Sequence, residues 1–337
     1  MKAARLHEFG GDFVVEEVPT PEPGPGEVRI RIGGAGVCHS DLHVRTGEIP
    51  VYLPALLGHE NAGWVDAIGQ GAEGVEVGEP VVVFGGWGCG RCRLCLGGQE
   101  QLCDVMRWGG IGPDGGYADF MIVPSTRHLL AAGDLDPALA APLTDAALTP
   151  YSAVKKALPR LVPGTTAVMV GAGGLGQYGL QFLKLLSPAT VVVVDSSADK
   201  RRFALDLGAD QVVDPADTDA TEQIKAASRG DGAAVAIDFV GADATMKLAA
   251  SSLGPQGLFA LVGLAGGSFP FSFFSLPTQA TLTSSTWGSR NELEEVLAMA
   301  RTGRLVSTIE QHPLSDINDV FARLADGRIQ GRAVLIP

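Results

Sequence analysis

Ala167-Val168-Met169-Val170-Gly171-Ala172-Gly173-Gly174-Leu175-Gly176 is the stretch on which the fold turns. Its first four residues are apolar and read as a buried strand. Gly171, Gly173 and Gly176 then match G-x-G-x-x-G. Residues from Gly174 onward read as a helix with Leu175, Leu180, Leu183 and Leu186 on its apolar side. Glycines at this point permit a tight turn and let backbone N–H groups approach a pyrophosphate at the helix N-terminus. With 45 glycines in the chain, the pattern alone is weak; its position between strand and helix carries it. The next apolar run, 191–194, reads as a second strand, and Asp195 ends it. A carboxylate there accepts hydrogen bonds from the adenosine ribose hydroxyls and repels a 2′-phosphate, so NAD is expected rather than NADP. Lys200 lies within reach of the same ribose, and no Arg immediately follows Asp195.

Working outward, a helix near 199–207 and strands near 235–239 and 258–262 continue the alternation, with Val262 assigned to the cofactor site. Strands alternating with helices imply a doubly wound parallel sheet, so 151–289 is read as a dinucleotide-binding domain. Residues 1–150 look mostly β, with runs at 27–32, 81–84 and 117–123 and an irregular Pro-rich segment at 19–26. From 290 the pattern is helix, strand, helix, strand, and the last strand, 332–336, is expected to return to the first domain. A length of 337 residues suits two domains.

The net charge of −13 argues against non-specific nucleic-acid binding, which needs Lys and Arg facing phosphates. No apolar run approaches the roughly 18 residues of a membrane span. The N-terminal residues lack the apolar region of a secretory signal, so a cytoplasmic protein is expected.

Five cysteines is an odd number. Cys89, Cys92, Cys95 and Cys103 follow C-x2-C-x2-C-x7-C, which in a reducing compartment reads as metal ligation rather than disulfides. Four thiolates close a tetrahedral zinc site, leaving no position for substrate, so this site is structural. An iron–sulfur cluster is the competitor; zinc is preferred because no second electron carrier is signalled. Cys38 remains. It follows a strand and an expected turn at Gly33-Gly34-Ala35-Gly36. With His59 and Asp145, the latter expected to open a helix at 145–156, it supplies three ligands and leaves the open position of a catalytic zinc. Glu60 is either a fourth, exchangeable ligand or a group behind the metal.

Taken together, these residues resemble the zinc-dependent medium-chain alcohol dehydrogenase family over nearly the whole chain. Within it they are similar to the bacterial NAD-linked members acting on secondary and aryl alcohols. Gly58-His59-Glu60-Asn61-Ala62-Gly63 with Gly69 fits the family's zinc signature. The run Ala141-Pro142-Leu143-Thr144-Asp145-Ala146-Ala147-Leu148-Thr149-Pro150-Tyr151 extends the likeness, as do Trp87-Gly88-Cys89-Gly90 and Gly331-Arg332-Ala333-Val334.

The resemblance implies a GroES-like catalytic domain at 1–150 and 290–337, with a structural zinc lobe at about 86–106, joined to a Rossmann domain at 151–289. It implies one catalytic and one structural zinc per subunit, NAD, a small alcohol or carbonyl as partner, and a homo-oligomer, a tetramer rather than a dimer. By the same resemblance Asp41 orients His59, Ser40 hydrogen-bonds the substrate oxygen and His43 passes the proton to solvent. Thr149 backs the nicotinamide, and Arg332 and His39 meet the pyrophosphate. Trp87 and Trp287, with Tyr52 and Leu264, are candidates to line the substrate pocket or to pack in the core. Two other readings compete with an alcohol dehydrogenase: a polyol or thiol-adduct dehydrogenase on the same scaffold, and a non-catalytic NAD-binding protein.

Overall fold

The computed structural model describes all 337 residues. They form two compact units, Met1–Leu148 with Gly288–Pro337, and Thr149–Trp287.

The first unit is built on a seven-stranded sheet. Its central strand, Val28–Gly36, pairs antiparallel with Glu60–Ile68, with Phe120–Val123 and with Arg332–Ile336. Alternation decides its orientation: Val28, Ile30 and Ile32 face the core. On the other face the Arg29 Nε donates to Asp66 at 2.6 Å and the Arg31 guanidinium lies 4.1 Å from the centre of the Trp64 ring. The C-terminal strand also runs parallel to Ile309–Pro313, so the end of the chain does return to this unit. The helix between them, Ile317–Ala325, buries Ile317, Val320, Phe321 and Leu324 at helical spacing against that core.

Three local expectations change. Gly33 to Gly36 is not a turn; these residues complete the central strand. A Cβ on Gly34 would stand 2.8 Å from the Ala138 Cα, and one on Gly36 would stand 1.9 Å from a Glu60 carboxylate oxygen, so glycine here permits close approach rather than reversal. The strand read at 117–123 is only Phe120–Val123. The helix read from 145 starts at Leu148; Asp145 sits in the break after a short 3-10 turn, Ala141–Thr144.

The second unit is a six-stranded, wholly parallel sheet. Its strand order is Gln211–Val213, Thr190–Val194, Thr166–Val170, Ala233–Asp238, Leu253–Leu261, Thr281–Ser284. Thr166–Val170 is buried along its whole length, as expected of a strand covered on both faces. It lies between Thr190–Val194 and Ala233–Asp238, the point where the strand order reverses. Helix Gly174–Leu186 follows it directly. The apolar run at 269–274 leaves Phe271, Phe273 and Phe274 exposed. No helix of the chain is long and apolar enough to cross a membrane.

Candidate active site

Cys38 lies two residues beyond the central strand and is the N-cap residue of helix His39–Arg45. His59 precedes strand Glu60–Ile68, and Asp145 occupies the break described above. The fold brings these three residues and Glu60 together, all buried, with one ligand atom of each within 4.8 Å of all the others. The Cys38 Sγ lies 3.7 Å from Asp145 Oδ2, and the His59 Nε2 lies 3.6 Å from the same oxygen. Tetrahedral ligands about 2.0–2.3 Å from a zinc ion stand about 3.3–3.8 Å apart, so the donor set and spacing fit that metal.

The surrounding groups hold these ligands. The His59 Nδ1 faces Asp41 Oδ1 at 3.2 Å, which directs the Nε2 lone pair toward the metal position. The Asp41 Oδ2 accepts from the Cys38 backbone N–H at 2.9 Å and from the Tyr117 hydroxyl at 2.7 Å. Burial alone would lower the pKa of His59. The Asp41 charge, with hydrogen bonds from the imidazole to Asp145, Asp41 and Cys38, outweighs burial and holds it well above the usual value. Glu60 is fully buried. Burial pushes its pKa up to about 7 against the pull of Arg332, which holds it through two hydrogen bonds, Nε to Oε2 at 2.9 Å and Nη2 to Oε1. The Ala146 backbone N–H donates to Oε1 at 3.0 Å.

Cys89, Cys92, Cys95 and Cys103 form a second cluster with sulfur atoms within 4.8 Å of one another. The Cys89 and Cys95 sulfurs are 3.9 Å apart, close to the edge of a zinc–thiolate tetrahedron. Backbone N–H groups of Arg91 and Cys92 lower the pKa of Cys89 to about 6, while burial raises that of Cys95 to about 12. Thiolates this close repel one another, and a dipositive ion removes the conflict.

Residues 24–133 match the model of the alcohol dehydrogenase GroES-like domain and residues 174–302 that of the zinc-binding dehydrogenases. A D-arabinose 1-dehydrogenase (NADP(+)) of Saccharolobus solfataricus is 39% identical, over 100% of this chain and 97% of its own. The chain belongs to the zinc-binding medium-chain alcohol dehydrogenase family. An NAD-dependent alcohol dehydrogenase of Sulfurisphaera tokodaii is 34% identical over 100% of both chains. The crystal structure of an alcohol dehydrogenase from Aeropyrum pernix superposes with a TM-score of 0.94 at 39% identity, covering 100% of each chain. The GroES-like and Rossmann domains expected of this family are thus both present, and its members' zinc chemistry has two fitting sites here, one catalytic and one structural. The chain is a zinc-dependent dehydrogenase of the alcohol and sugar class.

The other residues singled out in the sequence are placed as follows. Ser40 is buried, its Oγ 3.3 Å from the His59 Nε2. His43, on the same helix, is partly open to solvent, and its Nδ1 pairs with Glu48 Oε2 at 2.7 Å. His39 is exposed at the start of that helix. Arg332 is buried against Glu60, with its Nη2 also 3.7 Å from Asp145 Oδ2, so in this unit its guanidinium serves the carboxylates of Glu60 and Asp145. Trp87 is packed in, its Nε1 donating to the Phe84 carbonyl at 2.9 Å. Tyr52, at 96% exposure, stands clear of the first unit's core. The aromatic ring beside the ligands is one the sequence did not single out: Trp108 meets His59 edge-on, ring centres 5.5 Å apart.

In the second unit Gly171 has φ +93°, and a Cβ on Gly176 would stand 2.2 Å from the Gly171 carbonyl oxygen. Gly173 and Gly174 form the start of the helix, with Leu175 in its first turn. Asp195 accepts from the Ala172 N–H at 2.8 Å and the Ser197 N–H at 2.9 Å, which pins its carboxylate beside the glycine loop. A cavity of about 420 Å³ opens there, lined by Gly171, Asp195, Ser196, Val240, Thr245 and Lys247. Lys200 does not line it, whereas Lys247, which the sequence did not mark, does. Val262 is buried, its N–H donating to the Asp238 carbonyl. Thr149 and Trp287 are buried, and Leu264 is exposed.

Proposed function

We propose that this protein is an NAD-dependent alcohol dehydrogenase that interconverts a medium-chain or aryl alcohol with its aldehyde or ketone. The observation that carries the substrate class is Trp108, an apolar ring set edge-on against the metal ligand His59. A flat aromatic surface beside the reacting atoms favours an apolar or aryl substrate. The choice of NAD is supported by Asp195, whose pinned carboxylate borders the cavity beside the glycine loop and repels a 2′-phosphate.

When bound, zinc supplies Lewis acidity at the substrate oxygen and NAD supplies the hydride acceptor. Cys38, His59 and Asp145 hold the metal. Asp41 keeps the His59 proton on Nδ1, away from the metal side. Ser40, beside the His59 Nε2, would take up the alcohol proton as its own hydroxyl proton passes on toward the partly exposed His43 of the same helix, whose imidazole would release one to solvent. Glu60 and Arg332 set the charge behind the ligands.

A sugar dehydrogenase is the second reading, favoured by the 39% identity to the D-arabinose enzyme. The test is oxidation of NADH and NADPH, followed by absorbance, against ketones and aldehydes, with aldose oxidation run in reverse and a strong chelator in parallel. Fast, chelator-sensitive reduction of aryl or medium-chain carbonyls with NADH supports the proposal, and His59→Ala abolishes it while NADH still binds. Preferential turnover of aldoses, or of NADPH, defeats it.

A further inference from the structure

Tyr117 is buried completely, and neither the ligand set nor the proton relay uses it. Its hydroxyl stands 2.7 Å from Asp41 Oδ2, with the Gly36 carbonyl a more distant acceptor at 3.3 Å. Asp41, also fully buried, is the carboxylate on which both ends of the ligand set converge. Its Oδ1 faces the His59 Nδ1 at 3.2 Å and its Oδ2 accepts from the Cys38 N–H at 2.9 Å. A carboxylate removed from water needs each of these donors; losing one leaves it free to rotate and the imidazole less firmly aimed.

Tyr117 is itself immobilised. Its N–H donates to the Leu57 carbonyl at 3.0 Å and its carbonyl accepts from the Ala4 N–H at 2.8 Å. Its ring fills the space that a Cβ on Gly58 would occupy, 2.7 Å from the Cδ1 atom. Phe13 and Phe321 pack edge-on against it at 6.3 and 6.1 Å. The one side chain thus braces the backbone just before His59 and clamps the carboxylate that orients the His59 ring.

We infer that Tyr117 is a positioning residue for the catalytic metal, acting through Asp41 on His59 and Cys38. The inference rests on the catalytic-zinc reading above. Metal content and turnover of the unmodified protein are therefore measured first: failure there removes that reading, whereas a failure confined to the variant removes only this inference.

Tyr117→Phe keeps the ring and deletes only the hydroxyl. One of the two zinc ions should leave to a chelator about ten-fold faster or more, the size of effect that groups behind metal ligands exert. The other zinc should leave at the unmodified rate. Cobalt placed at the catalytic site should show shifted d–d bands, and kcat should fall with KM little changed. Tyr117→Phe added to Asp41→Asn should cause no further loss, because the hydroxyl acts through that carboxylate. A variant that melts earlier but keeps the release rate, cobalt bands and kcat would show that Tyr117 only packs, and would overturn the inference. Additive losses in the double variant would overturn the route through Asp41. Should Tyr117→Phe not accumulate, 3-fluorotyrosine at position 117 alone keeps the hydroxyl and changes its acidity. Unmoved cobalt bands in that protein would be equally fatal.

Discussion

Glu60 and Arg332 are distant in sequence and form a deeply buried ion pair of the site, 0% and 3% exposed at their side chains. Two charges at this depth are expensive to desolvate, and the pair persists because each guanidinium edge nitrogen meets a carboxylate oxygen. The Asp145 Oδ2, 3.7 Å from the Arg332 Nη2, adds a second negative partner. Removing the cation leaves two carboxylates with one fewer counter-charge, so Arg332→Met should lower unfolding stability by about 3–5 kcal/mol in urea titrations. Adding Glu60→Met should restore most of that loss, because the orphaned charge goes with it. A single variant as stable as the parent would mean the pair contributes nothing beyond its neighbours.

At the scale of elements, the strand Val28–Gly36 decides where the site lies. Its first half is legible: alternating Val, Arg and Ile faces predict a half-buried strand. Its second half reads locally as a turn because Gly33, Gly34 and Gly36 carry no side chain to alternate. The reason lies outside the strand, in the Ala138 backbone and the Glu60 carboxylate that press against it. Gly36→Ala would put a methyl 1.9 Å from a Glu60 carboxylate oxygen and 2.9 Å from the Glu60 Cβ and Cδ. The substitution should cost about 1–3 kcal/mol by overpacking, and should displace Glu60 enough to weaken catalytic zinc retention. Thermal melting and chelator competition on the purified variant check both parts, and unchanged values for both would rule out this crowding. Asp145 repeats the lesson. Its run suggests a helix, but the 3-10 turn Ala141–Thr144 breaks before it, and that break aims its carboxylate at Cys38 and His59.

At the scale of the whole molecule, acid should destabilise the protein through a group far from the catalytic ligands in sequence. His128 is 2% exposed beneath the cysteine lobe. Burial, then the charges of Arg127, Arg290 and Arg107, push its pKa down from 6.5 to about 3. The folded state therefore keeps it neutral where the unfolded chain binds a proton. Its stabilisation is complete above pH 6.5 and is lost as pH falls toward 3, by up to about 1.4 kcal/mol per pH unit. Unfolding titrations between these limits should show a shallower pH slope for His128→Gln than for the parent, and equal slopes would exclude the effect. Cys38, His59 and Asp145 lie far apart in the chain and were legible only as ligand types, whereas chemistry carried by neighbours was readable in advance: the tetrathiolate spacing, the glycine loop between strand and helix, and the carboxylate ending the next strand. Short-range pattern suffices there because turn geometry and metal coordination constrain adjacent residues directly. Which groups stand behind those ligands was decided only by tertiary structure. Trp108 against His59, Tyr117 on Asp41, Arg332 on Glu60 and Lys247 in the lining of the cavity beside the glycine loop join segments distant in the chain. No local periodicity records such contacts, because they arise from the packing of the whole sheet rather than from the residues on either side.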